Sequence, residues 1–198
     1  LMVGDIAALQ YLYGANTTSS SEEDTYSWGA NEAFFETIWD SGGTDTIDCS
    51  NQSYSCEIDL TPGSHSSIAL RTTQQEVLTA LGYEDYSDWL PDLVGSTIMG
   101  DLYNGRNNLA IAENVLIENL IGGAGDDTII GNSADNRLDG GAGNDTVIYS
   151  GNYADYSFNE LELGSGWSIA RVTGGADGVT GEGTDTLLGI ESLQFSDQ

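Results

Sequence analysis

Three consecutive nine-residue stretches decide the fold: IGGAGDDTI (Ile121–Ile129), IGNSADNRL (Ile130–Leu138) and DGGAGNDTV (Asp139–Val147). Apolar residues fall at Ile111, Leu120, Ile129, Leu138 and Val147, each nine after the last. Two positions before four of them stand Glu118, Asp127, Asn136 and Asp145, all with side-chain oxygen. A helix holds no single face at that period with glycines in every repeat, whereas a parallel β-roll gives each repeat a turn and a short strand. If two repeats complete one coil, residues two repeats apart stack on the same side, which sets Asp127 beside Asp145 and Glu118 beside Asn136. After Val147 the period stops.

The pattern GGxGxDxUx (U apolar) is complete at Gly122–Ile130 and again at Gly140–Ile148. The middle repeat keeps Gly131, Asn132 and Asn136 but lacks the carboxylate. Glycines let a turn aim several carbonyls inward, and the aspartate adds charge, which is the chemistry of calcium, a hard ion that takes about 6–8 oxygens. Stacked acids without a cation repel at close range, and calcium between the turns removes that repulsion while joining them. A second acidic turn, WDSGGTDTID (Trp39–Asp48), uses the same ingredients, with Asp40 and Asp45 flanking Gly42 and Gly43. Asp-Thr pairs recur at Asp24, Asp45, Asp127, Asp145 and Asp185, each ahead of a β-prone stretch. Asp45 is read as a ligand, Asp185 as an ordinary turn residue.

Composition points the same way. The 198 residues carry 32 Asp and Glu against 4 cations, all arginine (Arg71, Arg106, Arg137, Arg171), for a formal charge of −28. That balance excludes nucleic acid and anionic membranes as partners. It leaves most carboxylates to be solvated or neutralised by metal. With 39% hydrophobic residues a core is available, and 26 Gly against 2 Pro favours turn-rich β structure. No apolar run approaches the roughly 20 residues that cross a bilayer. No signal peptide opens the chain, and Leu1 falls within an amphipathic pattern, as expected of a piece of a longer protein. Cys49 and Cys56 are compatible with a small disulfide or with two buried thiols.

The expected fold is all-β: a parallel β-roll with calcium between turns, flanked by β-sandwich-like strands, one N-terminal helix and a small helical insertion. Met2, Ile6, Leu9 and Tyr13 recur at helical spacing up to Gly14, so residues 1–16 form a linking helix. Residues 17–150 form the roll domain, with strands at TIWD and DTIDCS. Its insertion at about 66–103 carries a Thr73–Glu76 capping box, a face of Val77, Leu78 and Leu81, a stop at Gly82, and a second run ending at Pro91. Residues 151–198 form a capping β unit, with hairpin strands near YSFNEL and WSIARV and a last strand near SLQF.

Through DIAALQYLYGAN (Asp5–Asn16), WDSGGTDTID, the IEN at Ile117–Asn119, IGGAGDDTIIGNSADN and GGAGNDT, the chain resembles the C-terminal RTX domain of serralysin-type metalloproteases. The resemblance implies a first calcium held by Ser21, Glu23, Thr25, Asp40, Gly42 and Asp45, and a second by Gly43, Asp45, Leu116 and Glu118. Further ions would lie between Gly123, Gly125, Asp127 and Gly140, Ala142, Asp145, and along Asn132, Ala134 and Asn136. It also implies several calcium ions, an attached catalytic domain, type I secretion and an extracellular location. The tail GTDTLLGIESLQF resembles the closing segment of RTX proteins that are not proteases.

A zinc protease of this clan needs HExxHxxGxxH, and the one histidine here, His65, sits in a Gly-Ser loop. The chain itself is therefore expected to be non-catalytic, with no zinc site, and to serve calcium-dependent folding and stability of a secreted zinc metalloprotease. The competing expectation is an adhesion or glycan-binding RTX module that stacks sugars on Trp28, Trp39, Trp89 or Trp167. The 66–103 insertion is a candidate surface for a protein or glycan partner.

Overall fold

The computed structural model describes residues 3–16, 20–30, 32–71, 73, 76–78, 104–161, 167–171 and 182–198. Helix α1 (Val3–Tyr13) ends where Gly14 takes φ 82° and donates its N–H to the Gln10 carbonyl at 2.8 Å. That left-handed stop is the one glycine accepts without strain. Ile6 packs on the core, while Leu9, Leu12 and Tyr13 stay exposed.

Among the described residues, short strands follow in three sheets. The first runs in the order β1 (Thr25–Ser27), β3 (Thr46–Asp48), β7 (Asn119–Ile121), β9 (Arg137–Asp139), β13 (Thr184–Leu188), β12 (Trp167–Arg171), β11 (Tyr156–Glu160). The second is β14 (Ser192–Gln194), β10 (Thr146–Ile148), β8 (Thr128–Ile130), β4 (Glu57–Asp59), and the third is β2 (Glu36–Ile38), β6 (Leu109–Ile111), β5 (His65–Ser66). Consecutive nonapeptides alternate between the first two sheets. Leu120 lies opposite Leu138 in one parallel pair and Ile129 opposite Val147 in the other. Two repeats thus complete one coil.

Side chains alternate across a strand, so each three-residue roll strand turns its middle residue inward. Ile47, Ile58, Leu120, Ile129, Leu138 and Val147 are all buried on that account. Each contributes roughly 1.5–3 kcal/mol by leaving water. Strands this short form few ladder hydrogen bonds, so the turns decide whether coils stay stacked.

Beyond Val147, β11 and β12 form an antiparallel hairpin, as the sequence suggested, and β12 pairs antiparallel with β13. The chain then rejoins the roll: β13 runs parallel to β9, with Leu187 opposite Leu138, and β14 runs parallel to β10, with Leu193 opposite Val147. Tyr149, Tyr156 and Phe195 pack ring on ring at this end, with centroids 4.9 to 5.7 Å apart.

Of the insertion, the expected capping box is formed. Thr73 N–H donates to Glu76 Oε2 at 2.9 Å, Glu76 N–H donates to Thr73 Oγ1 at 3.2 Å, and Val77 and Leu78 are buried in the helical turn that follows. Leu81, Gly82, Trp89 and Pro91 lie outside the described residues.

Candidate metal centre

Stacking the coils brings the polar turn residues into two columns. Asp24, Asp45, Glu118 and Asn136 stand at the heads of the first-sheet strands β1, β3, β7 and β9, and Asp185, second residue of β13, aligns with them; Cys56, Asp127, Asp145 and Glu191 stand at the heads of β4, β8, β10 and β14 of the second. Within each column, the backbone N–H of one coil is caught by a carboxylate of the next. Asp24 N–H donates to Asp45 Oδ1 at 2.9 Å and Asp45 N–H to Glu118 Oε2 at 2.9 Å. Cys56 N–H donates to Asp127 Oδ1 at 2.7 Å and Asp127 N–H to Asp145 Oδ1 at 2.8 Å. The predicted neighbour relation of Asp127 and Asp145 is therefore a direct hydrogen bond.

One oxygen of each carboxylate is thus committed to the neighbouring coil, and the fate of the other differs. Asp127 Oδ2 accepts from Gly123 N–H at 2.8 Å. Asp45 Oδ2 and Asp145 Oδ2 are buried with no hydrogen-bond partner among the described residues. A charged oxygen left so is costly. Burial accordingly pushes the Asp45, Asp127 and Asp145 carboxyls above the usual range, Asp145 to about 6, and nearby acids add to the rise. The ion pair formed among the described residues, Arg137 with Asp139 at 3.8 Å, is remote chemistry by comparison, on partly exposed side chains. Oxygen donors alone, charged and short of cations, suit a hard divalent ion such as calcium.

The glycines make room for it. A Cβ on Gly122 would stand 2.8 Å from Asp127 Oδ2 and strike the Gly140 carbonyl oxygen; one on Gly43 would stand 2.8 Å from Asp45 Oδ1 and strike the Glu22 carbonyl oxygen. Carboxylate and next-coil carbonyl converge where the missing methyl would be. Gly141 (φ 88°) and Gly143 (φ 138°) stack in the same manner over the carbonyl oxygens of Gly123 and Gly125, with Ala142 N–H donating to Gly123 O at 2.9 Å.

At the other end of the roll, Asp24, Asp40 and Asp45 bring one carboxylate oxygen each within 4.8 Å of the others. Asp40 accepts from Gly42 N–H at 2.7 Å and from the Tyr26 hydroxyl at 2.6 Å, and burial followed by that bond pushes the hydroxyl pKa up. Ser21, Glu23 and Thr25 lie exposed along the strand entry beside Asp24. Asp24 joins this cluster from outside the ligand set expected from the motifs; its Asp-Thr pair was the available signal. Leu116 is exposed two residues before the half-buried Glu118.

The middle turn is built differently. Asn136 Nδ2 donates to Glu118 O at 3.3 Å and to Asn132 Oδ1 at 3.0 Å, and Asn132 Nδ2 donates to Ile117 O at 2.7 Å and Leu60 O at 3.3 Å. Ala134 N–H donates to Asn132 Oδ1 at 2.8 Å. Amide donors here already engage the inward carbonyls that a cation would need. Asp185 also has both oxygens engaged, by Asn136 N–H at 3.0 Å and the Tyr149 hydroxyl at 3.0 Å, and burial raises its pKa to about 7.

Other candidates resolve plainly. Trp28 is a core residue stacked on Phe34 at 4.7 Å, Trp39 is half-buried, and Trp167 is 47% exposed. His65 is exposed in β5. Cys49 and Cys56 are buried free thiols, and the contact with Cys56 together with burial pushes the Cys49 thiol up.

Residues 116–147 match the family model for the RTX calcium-binding nonapeptide repeat, and residues 5–76 match that for the Peptidase M10 serralysin C terminal. The chain carries a serralysin C-terminal domain with RTX repeats. This serralysin-type domain is 35% identical to the serralysin of Proteus mirabilis over 142 residues, which cover 66% of this chain and 22% of that protein. It is 37% identical to serralysin C of Dickeya chrysanthemi over 141 residues (65% and 22%) and 34% identical to metallopeptidase AprA of Pseudomonas marginalis over 142 residues (66% and 23%). The match thus spans under a quarter of the length of these relatives. No helix among the described residues is long and apolar enough to cross a membrane.

Proposed function

We propose that this RTX domain is a non-catalytic calcium module whose ions drive its folding outside the cell and stabilise an attached zinc metalloendopeptidase. The carrying observation is the pair of buried, partnerless oxygens, Asp45 Oδ2 and Asp145 Oδ2, in turns whose glycines leave an oxygen-lined gap. The ligand set comprises Ser21, Glu23, Thr25, Asp40, Gly42 and Asp45 for one ion, now joined by Asp24, and Gly43, Asp45, Leu116 and Glu118 for a second. Gly123, Gly125, Asp127, Gly140, Ala142 and Asp145 hold ions between the regular repeats, whereas the middle turn of Asn132, Ala134 and Asn136, expected from the sequence to hold a further ion, is closed by its own hydrogen bonds and drops out of the set.

The mechanism is linkage. Extracellular calcium modules bind at about 10⁻⁴–10⁻³ M, so cytosolic calcium leaves the polyanion unfolded and able to thread through a type I exporter. Millimolar calcium outside then fills the turns and folds it. The serralysin relatives support a peptidase as the attached partner, and the exposed Leu9, Leu12 and Tyr13 of α1 offer it an apolar contact. Equilibrium dialysis against calcium tests the module directly: several ions per chain are expected, and a chain that takes up none refutes it.

A further inference from the structure

We propose that the C-terminal tail completes one more calcium site, built from Asp145, the Gly189 carbonyl and Glu191, that seals the last coil of the roll. The proposal rests on the calcium reading of the repeats but assigns residues beyond the nonapeptides, whose match ends at residue 147.

Its starting point is a repetition in the sequence. Ile117-Glu118-Asn119-Leu120 returns as Ile190-Glu191-Ser192-Leu193, and Gly43-Thr44-Asp45-Thr46 returns as Gly143-Asn144-Asp145-Thr146. The fold uses the two pairs identically. Thr46 lies opposite Asn119 in parallel register, and Thr146 lies opposite Ser192. Asp45 N–H donates to Glu118 Oε2 at 2.9 Å, and Asp145 N–H donates to Glu191 Oε2 at 2.8 Å. Asn119 N–H returns a bond to Asp45 O at 2.9 Å, and Ser192 N–H returns one to Asp145 O at 3.0 Å. In both, the aspartate Oδ2 is buried and without a partner among the described residues.

The gap resembles the one between the regular repeats. A Cβ on Gly140 would stand 2.5 Å from Asp145 Oδ2 and strike the Gly189 carbonyl oxygen, just as one on Gly122 would meet Asp127 Oδ2 and the Gly140 carbonyl oxygen. The tail therefore presents a carbonyl where the next repeat would have presented its own. Glu191 stands exposed at the rim while Asp145 is fully buried. The bare Asp145 Oδ2, the Gly189 carbonyl oxygen beside it and Glu191, hydrogen-bonded to the Asp145 backbone, form the oxygen donor set a hard cation takes.

Native mass spectrometry of the 198-residue chain in calcium, with Glu191→Gln and Glu118→Gln beside the wild type, reads the site as a count of ions. Glu191→Gln is expected to hold one calcium fewer than the wild type, as Glu118→Gln is; a count equal to wild type overturns the proposal. Should Glu191→Gln fail to fold, anomalous scattering from wild-type crystals grown in calcium decides. A peak between Asp145 and Glu191 supports the site, and peaks beside Asp127 with none there overturn it. A wild-type chain holding no calcium at all overturns the underlying calcium reading as well, which separates the two failures.

Discussion

Chelating calcium at about pH 8 is expected to lower the melting temperature by roughly 8–16 °C, on the following arithmetic. Asp45, Asp127 and Asp145 are each at most 1% exposed, and each sits in a turn where carbonyl oxygens gather. Counting one ion for each, at about ten times a Kd of extracellular type, gives roughly 1.4 kcal/mol per ion and about 4 kcal/mol together. In a domain of this size each kcal/mol moves the midpoint by about 2–4 °C. The assay is differential scanning calorimetry in calcium, in EDTA, and in magnesium at matched ionic strength. Matching matters because plain salt also relieves a chain of charge −28, acting over a screening length of about 8 Å at physiological strength. Magnesium should not substitute, since it demands tight octahedral geometry at about 2.0–2.1 Å and gives up its water reluctantly. A calcium shift below about 3 °C, or an equal shift with magnesium, would refute the reasoning that ions rather than the apolar core hold the coils together.

The same carboxyls set a pH dependence of opposite sign with and without metal. Burial raises Asp145 to about 6 and Asp185 to about 7 from 3.8; a raised folded-state pKa stabilises below the unfolded value and loses that contribution as pH climbs through the raised one. Melts in EDTA should therefore rise as pH drops from about 8 to about 5, while in calcium they should fall as protons compete with the ion. Gly141→Ala puts a Cβ at φ 88° and into the Gly123 carbonyl; a loss of at least about 2 kcal/mol by denaturant titration is expected, against no loss for Gly4→Ala in α1, where nothing lies within 4 Å. Cys49 and Cys56, both buried, should resist alkylation in calcium and react on chelation and unfolding; prompt labelling of the native chain would contradict their placement.

The roll itself was legible from the sequence because its signal is periodic. Apolar residues nine apart can be interior only if each repeat contributes one half-coil, and Ile111, Leu120, Ile129, Leu138 and Val147 are all fully buried. The tail was harder to read. Asp185 and Glu191 occupy the same columns as the repeat residues, but they are only six apart in sequence and carry no GGxG between them, so no nine-residue register could align them. Asp24 was hidden for a related reason: it reaches Asp40 and Asp45 through strand pairing across Thr25 and Thr46, a long-range contact that local spacing does not encode. The Asn turn needed atoms rather than letters. Asn and Asp both supply an oxygen, but only the amide also donates, and that donor is what engages the Ile117, Glu118 and Leu60 carbonyls.

Contrast between the Asn and Asp turns shows how metal and protein divide the work. In the acidic turns, the oxygen given to the neighbouring backbone N–H, as from Asp145 Oδ1 to Asp127, fixes which coil lies on which and in what register. That bond requires no ion, so topology is specified by the chain alone. The second oxygen, left bare at Asp45 and Asp145, makes the same arrangement unfavourable until a cation arrives. Asn132 and Asn136 do both jobs through their own amides, so hydrogen bonds alone stitch the centre of the roll. On the proposed reading, calcium acts on either side of that coil, changing how firmly adjacent turns hold rather than which turns meet. On the proposed reading, a strongly acidic chain stays unfolded in low calcium and is committed to one structure once calcium is plentiful.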